Sequence, residues 1–355
     1  MNMVSKQPVR RGILLMNLGS PDSTEVPDVK RYLDEFLMDK RVIDYPYLQR
    51  LLFVKGLITP RRAPHSAEAY KKIWWPEGSP LIVLTERLGK ALEEETGEAV
   101  ETAMRYGNPH PEAAFEKLMK RVPGLQEVLA VPLYPHYAMS SYETAVESTR
   151  EIYRKGKYPF RISFTRPFYR EPAYINALAE SIRPYLSEDD YLLFSYHGLP
   201  ERHIRKADGS GSHCLQSGEC CFTPSPAHRF CYRHQVLTTM ELTAKELALT
   251  PEQYGFSFQS RLGREQWIKP YTVEVLKELP KKGIKKLAVV CPAFVSDCLE
   301  TLEEMAIQGK ETFLSAGGES YQAIPCLNTQ PLWLEVLGSW VRAYAGGDKS
   351  LVNAL

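Results

Sequence analysis

Gly12-Ile13-Leu14-Leu15-Met16-Asn17-Leu18 is a run of seven residues in which only Asn17 is polar, and it is closed by Gly19-Ser20-Pro21. A short apolar run without polar alternation, ended by a turn signal, describes a strand covered on both faces, as in a parallel sheet. Beyond it, Thr85 to Thr96 carries apolar residues near the 3.6 period with a glycine just past its end, which predicts a helix, and Val100 to Tyr106 follows as a strand. Ala113 to Val122 reads as a helix, Glu127 to Leu133 as a strand and Glu143 to Lys155 as a helix. This alternation defines an α/β protein with helices on both faces of a parallel sheet.

The same order returns later. Tyr191 to Tyr196 and Phe256 to Ser260 read as strands, Val273 to Leu279 as a helix, Lys286 to Cys291 as a strand and Glu300 to Gln308 as a helix. Single residues agree as well. Gly19 and Pro21 match Gly198 and Pro200 at an offset of 179, and Arg105 and Gly107 match Arg261 and Gly263 at 156. Pro135, Tyr137, Glu143, Thr144 and Glu147 match Pro292, Phe294, Glu300, Thr301 and Glu304 at 157. An ordered series of this kind describes two similar halves, residues 1–168 and 169–355, meeting near Arg166 to Tyr174 where Pro167 and Pro172 interrupt the pattern. The fall in offset assigns about 23 extra residues to the first half, within a stretch from Tyr32 to Pro80 (about 32–80). Ligands of open parallel sheets gather beyond the carboxyl ends of the strands, so the expected site is a cleft between the halves.

A chain of 355 residues is expected to form two domains around separate cores. Its net charge of +1 provides no general field for nucleic acid or an anionic bilayer. No apolar run approaches the ~20 residues of a membrane span, and Met1 to Arg11 lacks the apolar stretch of a secretion signal. A soluble, cytoplasmic protein is expected, with peripheral membrane contact left open and no oligomeric state implied. Gly19-Ser20-Pro21 lacks the spacing of a dinucleotide fingerprint, and no phosphate-loop Lys-Ser or Lys-Thr is present.

Leu193-Phe194-Ser195-Tyr196-His197-Gly198-Leu199-Pro200 puts a histidine at the end of a buried strand, where Gly and Pro force a turn and point the ring into the cleft. A neutral imidazole there can take a proton or bind a metal, although a core histidine bonded to backbone fits the same context. At the equivalent place in the last βα unit, Glu300 and Glu304 are four apart and share one helix face. Taken alone they are ordinary N-terminal charges favoured by the dipole. Facing His197 they make a nitrogen and oxygen set suited to a divalent metal or to proton removal. The insertion supplies Pro60-Arg61-Arg62-Ala63-Pro64, Tyr70, Trp74, Trp75 and Gly78-Ser79-Pro80, which are the walls and cations that a planar apolar ligand with carboxylate arms would need. Packing of a lid accounts for them equally well.

Seven cysteines, an odd number, argue against a disulfide framework. Four of them, Cys214, Cys220, Cys221 and Cys231, fall within 18 residues of a Gly, Ser and Pro-rich insertion at about 203–234. Four thiolates are the ligand count of an iron–sulfur cluster or a structural zinc, and His213, His228 and His234 nearby keep zinc open.

Over nearly its whole length the chain resembles the ferrochelatases, class II chelatases that insert ferrous iron into a porphyrin. Ser195-Tyr196-His197-Gly198-Leu199-Pro200, Phe258-Gln259-Ser260-Arg261 with Trp267 and Pro270-Tyr271-Thr272, and Ser296-Asp297-Cys298-Leu299-Glu300-Thr301 carry the likeness. The resemblance implies two Rossmann-like halves with the porphyrin between them and ferrous iron as substrate. It implies that His197 and Glu300 are the pair assigned to iron, that Glu304 is the next acid in the metal or proton path, that Arg62, Tyr70 and Ser79 surround the porphyrin, and that Arg105 stands at the mouth. It also implies a [2Fe-2S] cluster on Cys214, Cys220, Cys221 and Cys231, as in some members. Two departures stand out. Cys298 replaces a histidine of some relatives, and Leu18 stands where several coproporphyrin-using members have a tyrosine, which favours protoporphyrin IX over coproporphyrin III. A porphyrin or haem carrier without turnover, and a cobalt or nickel chelatase, are the rival readings.

Overall fold

The computed structural model describes residues 9–261, 263 and 265–353, so most of the Met1 to Arg11 stretch lies outside the described residues. Strands β1 (Arg11–Gly19), β2 (Ala99–Tyr106), β3 (Glu127–Pro132) and β4 (Arg161–Thr165) form a parallel sheet in the order β2-β1-β3-β4. Strands β5 (Tyr191–His197), β6 (Tyr254–Gln259), β7 (Lys286–Val290) and β8 (Ser320–Ala323) repeat that plan in the order β6-β5-β7-β8. In both sheets the first strand of the half is central and its apolar run is buried, with Leu14, Leu15 and Phe194 fully covered.

The first sheet is wrapped by α1 (Val26–Leu37), α2 (Tyr47–Leu51) continuing as a π-helical turn over Leu52–Ile58, α3 (Thr59–Ile73), α4 (Pro80–Thr96), α5 (Pro111–Arg121) and α6 (Thr144–Gly156). The second is wrapped by α7 (Pro172–Ile182), α8 (Glu201–Ala207), α9 (Tyr232–Glu246), α10 (Thr272–Glu278), α11 (Lys310–Ser315) and α12 (Pro331–Ala345). Helix α4 starts five residues before the expected Thr85, because Pro80 follows the extended Ser79 and sets the first helical φ. It stops at Gly97, whose φ of 71° is left-handed and whose N–H closes on the Glu93 carbonyl. The expected helix at Glu300 is π-helical over Glu300–Gly309 before α11 begins.

Two expectations are corrected. The first sheet is not wholly parallel, since β9 (Val352–Asn353) pairs antiparallel with β4 and returns the end of the chain to the first half. Nor are the cores separate. One apolar cluster runs from Ile13, Leu15 and Leu88 of the first half to Phe194, Val236 and Trp333 of the second, because α4, α7, α9 and α12 fill the space between the sheets. Each sheet keeps its own apolar packing only on its other face. Helices α1 and α3 form a small further core around Tyr32, Ala67 and Tyr70, which holds the lid over the carboxyl ends of the strands.

Candidate active site

The turns that leave β1, β3, β5, β6 and β7 all open on one cavity of about 700 Å³, roofed by the lid helices. That volume lies within the range of small-molecule and cofactor sites, and most of its wall is apolar. His197, the last residue of β5, lies in the wall. Its Nδ1 is 2.7 Å from the Gly198 carbonyl oxygen, which can only accept, so Nδ1 is the protonated nitrogen of the neutral ring and Nε2 the one with the lone pair. The ring stands between Trp267 and Phe294, each at 6.4 Å, and the Tyr232 hydroxyl donates to the His197 carbonyl at 2.9 Å. Gly198 is required here, since a Cβ would come within 2.8 Å of the Gln259 carbonyl oxygen and 3.1 Å of the Trp267 ring.

Glu300 and Glu304 lie on the π-helical turn in the same wall as His197. The Ser260 amide and hydroxyl donate to the two Glu304 oxygens at 2.8 and 2.5 Å, from a residue whose own φ is +66°. A non-glycine residue in that region is strained, and here the strain aims both donors at one carboxylate. Burial raises the Glu304 pKa; Ser260 and His197 oppose the rise, and the Glu300 charge adds to it. Cys298 lies beside Glu300, and burial first, then that carboxylate, push its thiol far up, so it stays protonated.

Arg62, Tyr70 and Ser79 all reach the cavity wall from the lid, and burial followed by the Glu300 charge keeps the Tyr70 phenol protonated. Arg105 does not stand at the mouth as expected. It is held at 2.5 Å by Asp39 and at 2.8 Å by Thr144 and lies over the Tyr106 ring, so it ties β2 to α6 and to the lid's base. Burial opposes ionisation of Asp39, but Thr144, Arg41 and Arg105 more than offset it, and the carboxyl stays below its ordinary range.

Two wall residues went unread in the sequence. Glu303 is buried and paired with Lys72 at 2.7 Å and with Gln308, one position before the acid that was read. His136 follows β3 much as His197 ends β5, a strand-end signal present in Tyr134-Pro135-His136. Burial lowers its pKa to about 3, leaving a neutral ring whose Nε2 meets Thr239 at 2.9 Å and whose Nδ1 has no partner.

All four clustered cysteines are buried, and none is in a disulfide. The Cys231 thiol neighbours those of Cys214 and Cys221. The Leu215 amide donates to the Cys220 sulfur at 3.4 Å and Arg233 to the Cys221 sulfur at 3.2 Å. His213 and His228 turn their Nε2 atoms to the Cys220 carbonyl, and His234 its Nδ1 to the Cys221 carbonyl. Among the described residues no three His, Cys, Asp or Glu side chains close into a metal-holding group. What fits a four-sulfur ligand is the donor chemistry: buried, mutually crowded thiols with N–H groups on two sulfurs and the nearby imidazoles braced on backbone.

Twin sheets with a cleft at their strand ends define the fold. "SirB from Bacillus subtilis with Fe3+" shares it at a TM-score of 0.56 and 13% identity, covering 97% of this chain and 99% of that one. The family model described as Ferrochelatase matches residues 10–345, and the chain belongs to that family. It is 51% identical to a ferrochelatase of Ectopseudomonas mendocina, across 92% of this chain and 95% of that relative. Against the ferrochelatase of Opitutus terrae it is 48% identical, across 94% and 97%.

Proposed function

We propose that this chain inserts ferrous iron into protoporphyrin IX, with His197 as base and metal contact and Glu300 and Glu304 as the path for metal and protons. The observation that carries this is His197, its Nδ1 turned to a carbonyl and its ring in the same wall as two carboxylates, inside an apolar cavity large enough for a macrocycle. Insertion removes two pyrrole protons and strips water from the metal. His197 Nε2 takes the two pyrrole protons one after the other and passes each to Glu304, which Ser260 fixes to receive it and which releases it before the next, and Glu300 supplies an oxygen to incoming iron. Tyr70, Leu18 and the lid close around the ring and exclude water. The lid side of the cavity, with Leu33, Leu37, Val42 and Ile58, suits vinyl groups better than the two additional carboxylates of coproporphyrin. Side-by-side anaerobic assays with the two porphyrins test this, and faster turnover of coproporphyrin III would reverse the substrate assignment.

Cys214, Cys220, Cys221 and Cys231 hold a [2Fe-2S] cluster in this reading, supported by the burial of all four thiols and by histidines already engaged with carbonyls. When bound, such a cluster supplies a redox-active iron centre. The chain's own contribution is a brace: Cys231 caps α9, and the next residue, Tyr232, holds the His197 carbonyl. Protein purified without air and free of porphyrin is expected to be coloured and to contain about two iron and two sulfide per chain. A colourless sample with stoichiometric zinc would sink the cluster.

The lid also presents Tyr47, Leu48, Leu52, Phe53 and Leu57 to solvent, with Leu52 74% exposed, next to Ile58 in the cavity wall. A patch of this kind, continuous with a site for an apolar macrocycle, suits shallow insertion into a bilayer. Among the described residues no helix is long and apolar enough to span one. The protein is expected to float with phosphatidylglycerol vesicles, and Leu48→Asp with Leu52→Asp to remain in the dense fraction. Absence of the unsubstituted protein from the floating fraction would discard the membrane contact.

A further inference from the structure

We infer that Arg202 and His203 on α8, with Lys206 behind them, form a receptor for a tetrapyrrole carboxylate, now filled by the lid's own Asp44, which the incoming carboxylate displaces. This deepens the proposed porphyrin activity and rests on it.

Asp44 lies between α1 and α2, in the first half, yet its carboxylate is surrounded by the second. Arg202 Nε donates to it at 2.7 Å and Lys206 Nζ at 3.2 Å, while His203 Nε2 stands 3.8 Å away. Arg202 also pairs with Glu265 and lies over the Tyr45 ring, 5.2 Å from its centroid. Arg202, His203, Glu265 and Tyr45 line the cavity. The cluster therefore sits where the lid meets the far wall.

His203 marks this as more than an ion pair. It is 3% exposed, and neither ring nitrogen has a hydrogen-bond partner among the described residues. Burial, then the Arg202 charge, lower its pKa to about 4, so the ring is neutral and offers one N–H donor. A buried donor without a partner costs stability unless something else meets it. A carboxylate entering from the cavity can take that N–H together with the Arg202 fork, a planar charge-assisted arrangement that Asp44 only half satisfies.

The exchange conserves charge. Arg202 and Lys206 carry two positive charges, Asp44 and Glu265 two negative ones, and a propionate replacing Asp44 leaves the sum unchanged. The released Asp44 frees the segment before α2, so binding of the substrate arm and loosening of the lid's tie become one event.

The test is porphyrin affinity, read by quenching of porphyrin fluorescence without metal. Asp44→Asn empties the receptor and is expected to tighten protoporphyrin IX binding several-fold. Arg202→Met and, more weakly, Lys206→Met are expected to loosen it, the former about ten-fold, as for loss of a charge-assisted pair. Protoporphyrin dimethyl ester, which has no free carboxylate, is expected to respond to none of the three. A simple strap between lid and wall would move Asp44→Asn and Arg202→Met in the same direction. Equal weakening by both, no change in either, or an ester that follows the free acid overturns the receptor. Failure of the unsubstituted protein to bind any porphyrin overturns the proposed activity as well, so the two failures are distinguishable.

Discussion

His197→Ala is expected to reduce iron insertion by about 10²–10⁴-fold, the usual contribution of a positioned general base, while porphyrin still binds. The Nδ1 proton is committed to the Gly198 carbonyl, so the lone pair on Nε2 is the basic atom His197 presents to the cavity. Glu304, held by Ser260, is the acceptor of the proton that His197 passes on. Alanine leaves the Tyr232 bond intact, since that bond is to the main chain. The ring's neighbours Trp267 and Phe294 also remain to face the macrocycle. The measurements are the initial rate of anaerobic iron insertion and the dissociation constant from fluorescence quenching. Turnover within a few-fold of the unsubstituted enzyme would falsify the assignment of His197. Joint loss of rate and binding would instead make the histidine part of the porphyrin wall.

Trp333→Ala is expected to destabilise the whole chain at once, by about 3–5 kcal/mol as for other buried tryptophans. Trp333 is fully buried on α12, with ring centroids 5.6 Å from Phe168, 6.0 Å from Tyr174 and 5.7 Å from Trp340. These rings lie at the junction of the halves, and the cluster they belong to extends to Ile13 and Leu15 on one side and Phe194 on the other. A void there removes contacts from both sheets, so denaturant unfolding followed by circular dichroism and by tryptophan emission should remain one coincident transition with a lower midpoint. Two separated transitions, only one of them moved by the substitution, would restore independent halves with separate cores.

Much of the scaffold was legible in one dimension, for identifiable reasons. Strands covered on both faces cannot alternate, so β1, β3, β5 and β7 appear as apolar runs. Because one plan is used twice, matched glycines and prolines recur at nearly constant offsets, and both sheets have the same strand order. His197 was legible because a turn after a buried strand points its last side chain into the cleft, and Glu300 and Glu304 because helical spacing puts them together. The lid residues Arg62, Tyr70 and Ser79 were legible as a composition suited to a planar acid.

Other features had no local signal. The family resemblance puts Arg105 at the mouth, but Asp39, 66 positions away, claims its guanidinium. Glu303 pairs across 231 positions with Lys72, and Asp44 across 158 with Arg202. Each choice between substrate and internal partner depends on which opposite charge the fold brings within about 3 Å. The cysteine spacing offers the ligand count of an iron–sulfur cluster or a zinc; only packing shows that the flanking histidines are spent on carbonyls and that Tyr232, next to Cys231, holds the His197 carbonyl.

Periodicity and turn chemistry are local, and so the sequence by itself determined two α/β halves, a cleft at their strand ends and the candidate residues His197, Glu300 and Glu304 in its wall. Long-range pairing and packing decided the rest: that the halves share one core, that the last strand returns to the first sheet, and which arginines and carboxylates are left facing the cavity. Burial and opposite charge act between residues that are neighbours only after the chain has folded.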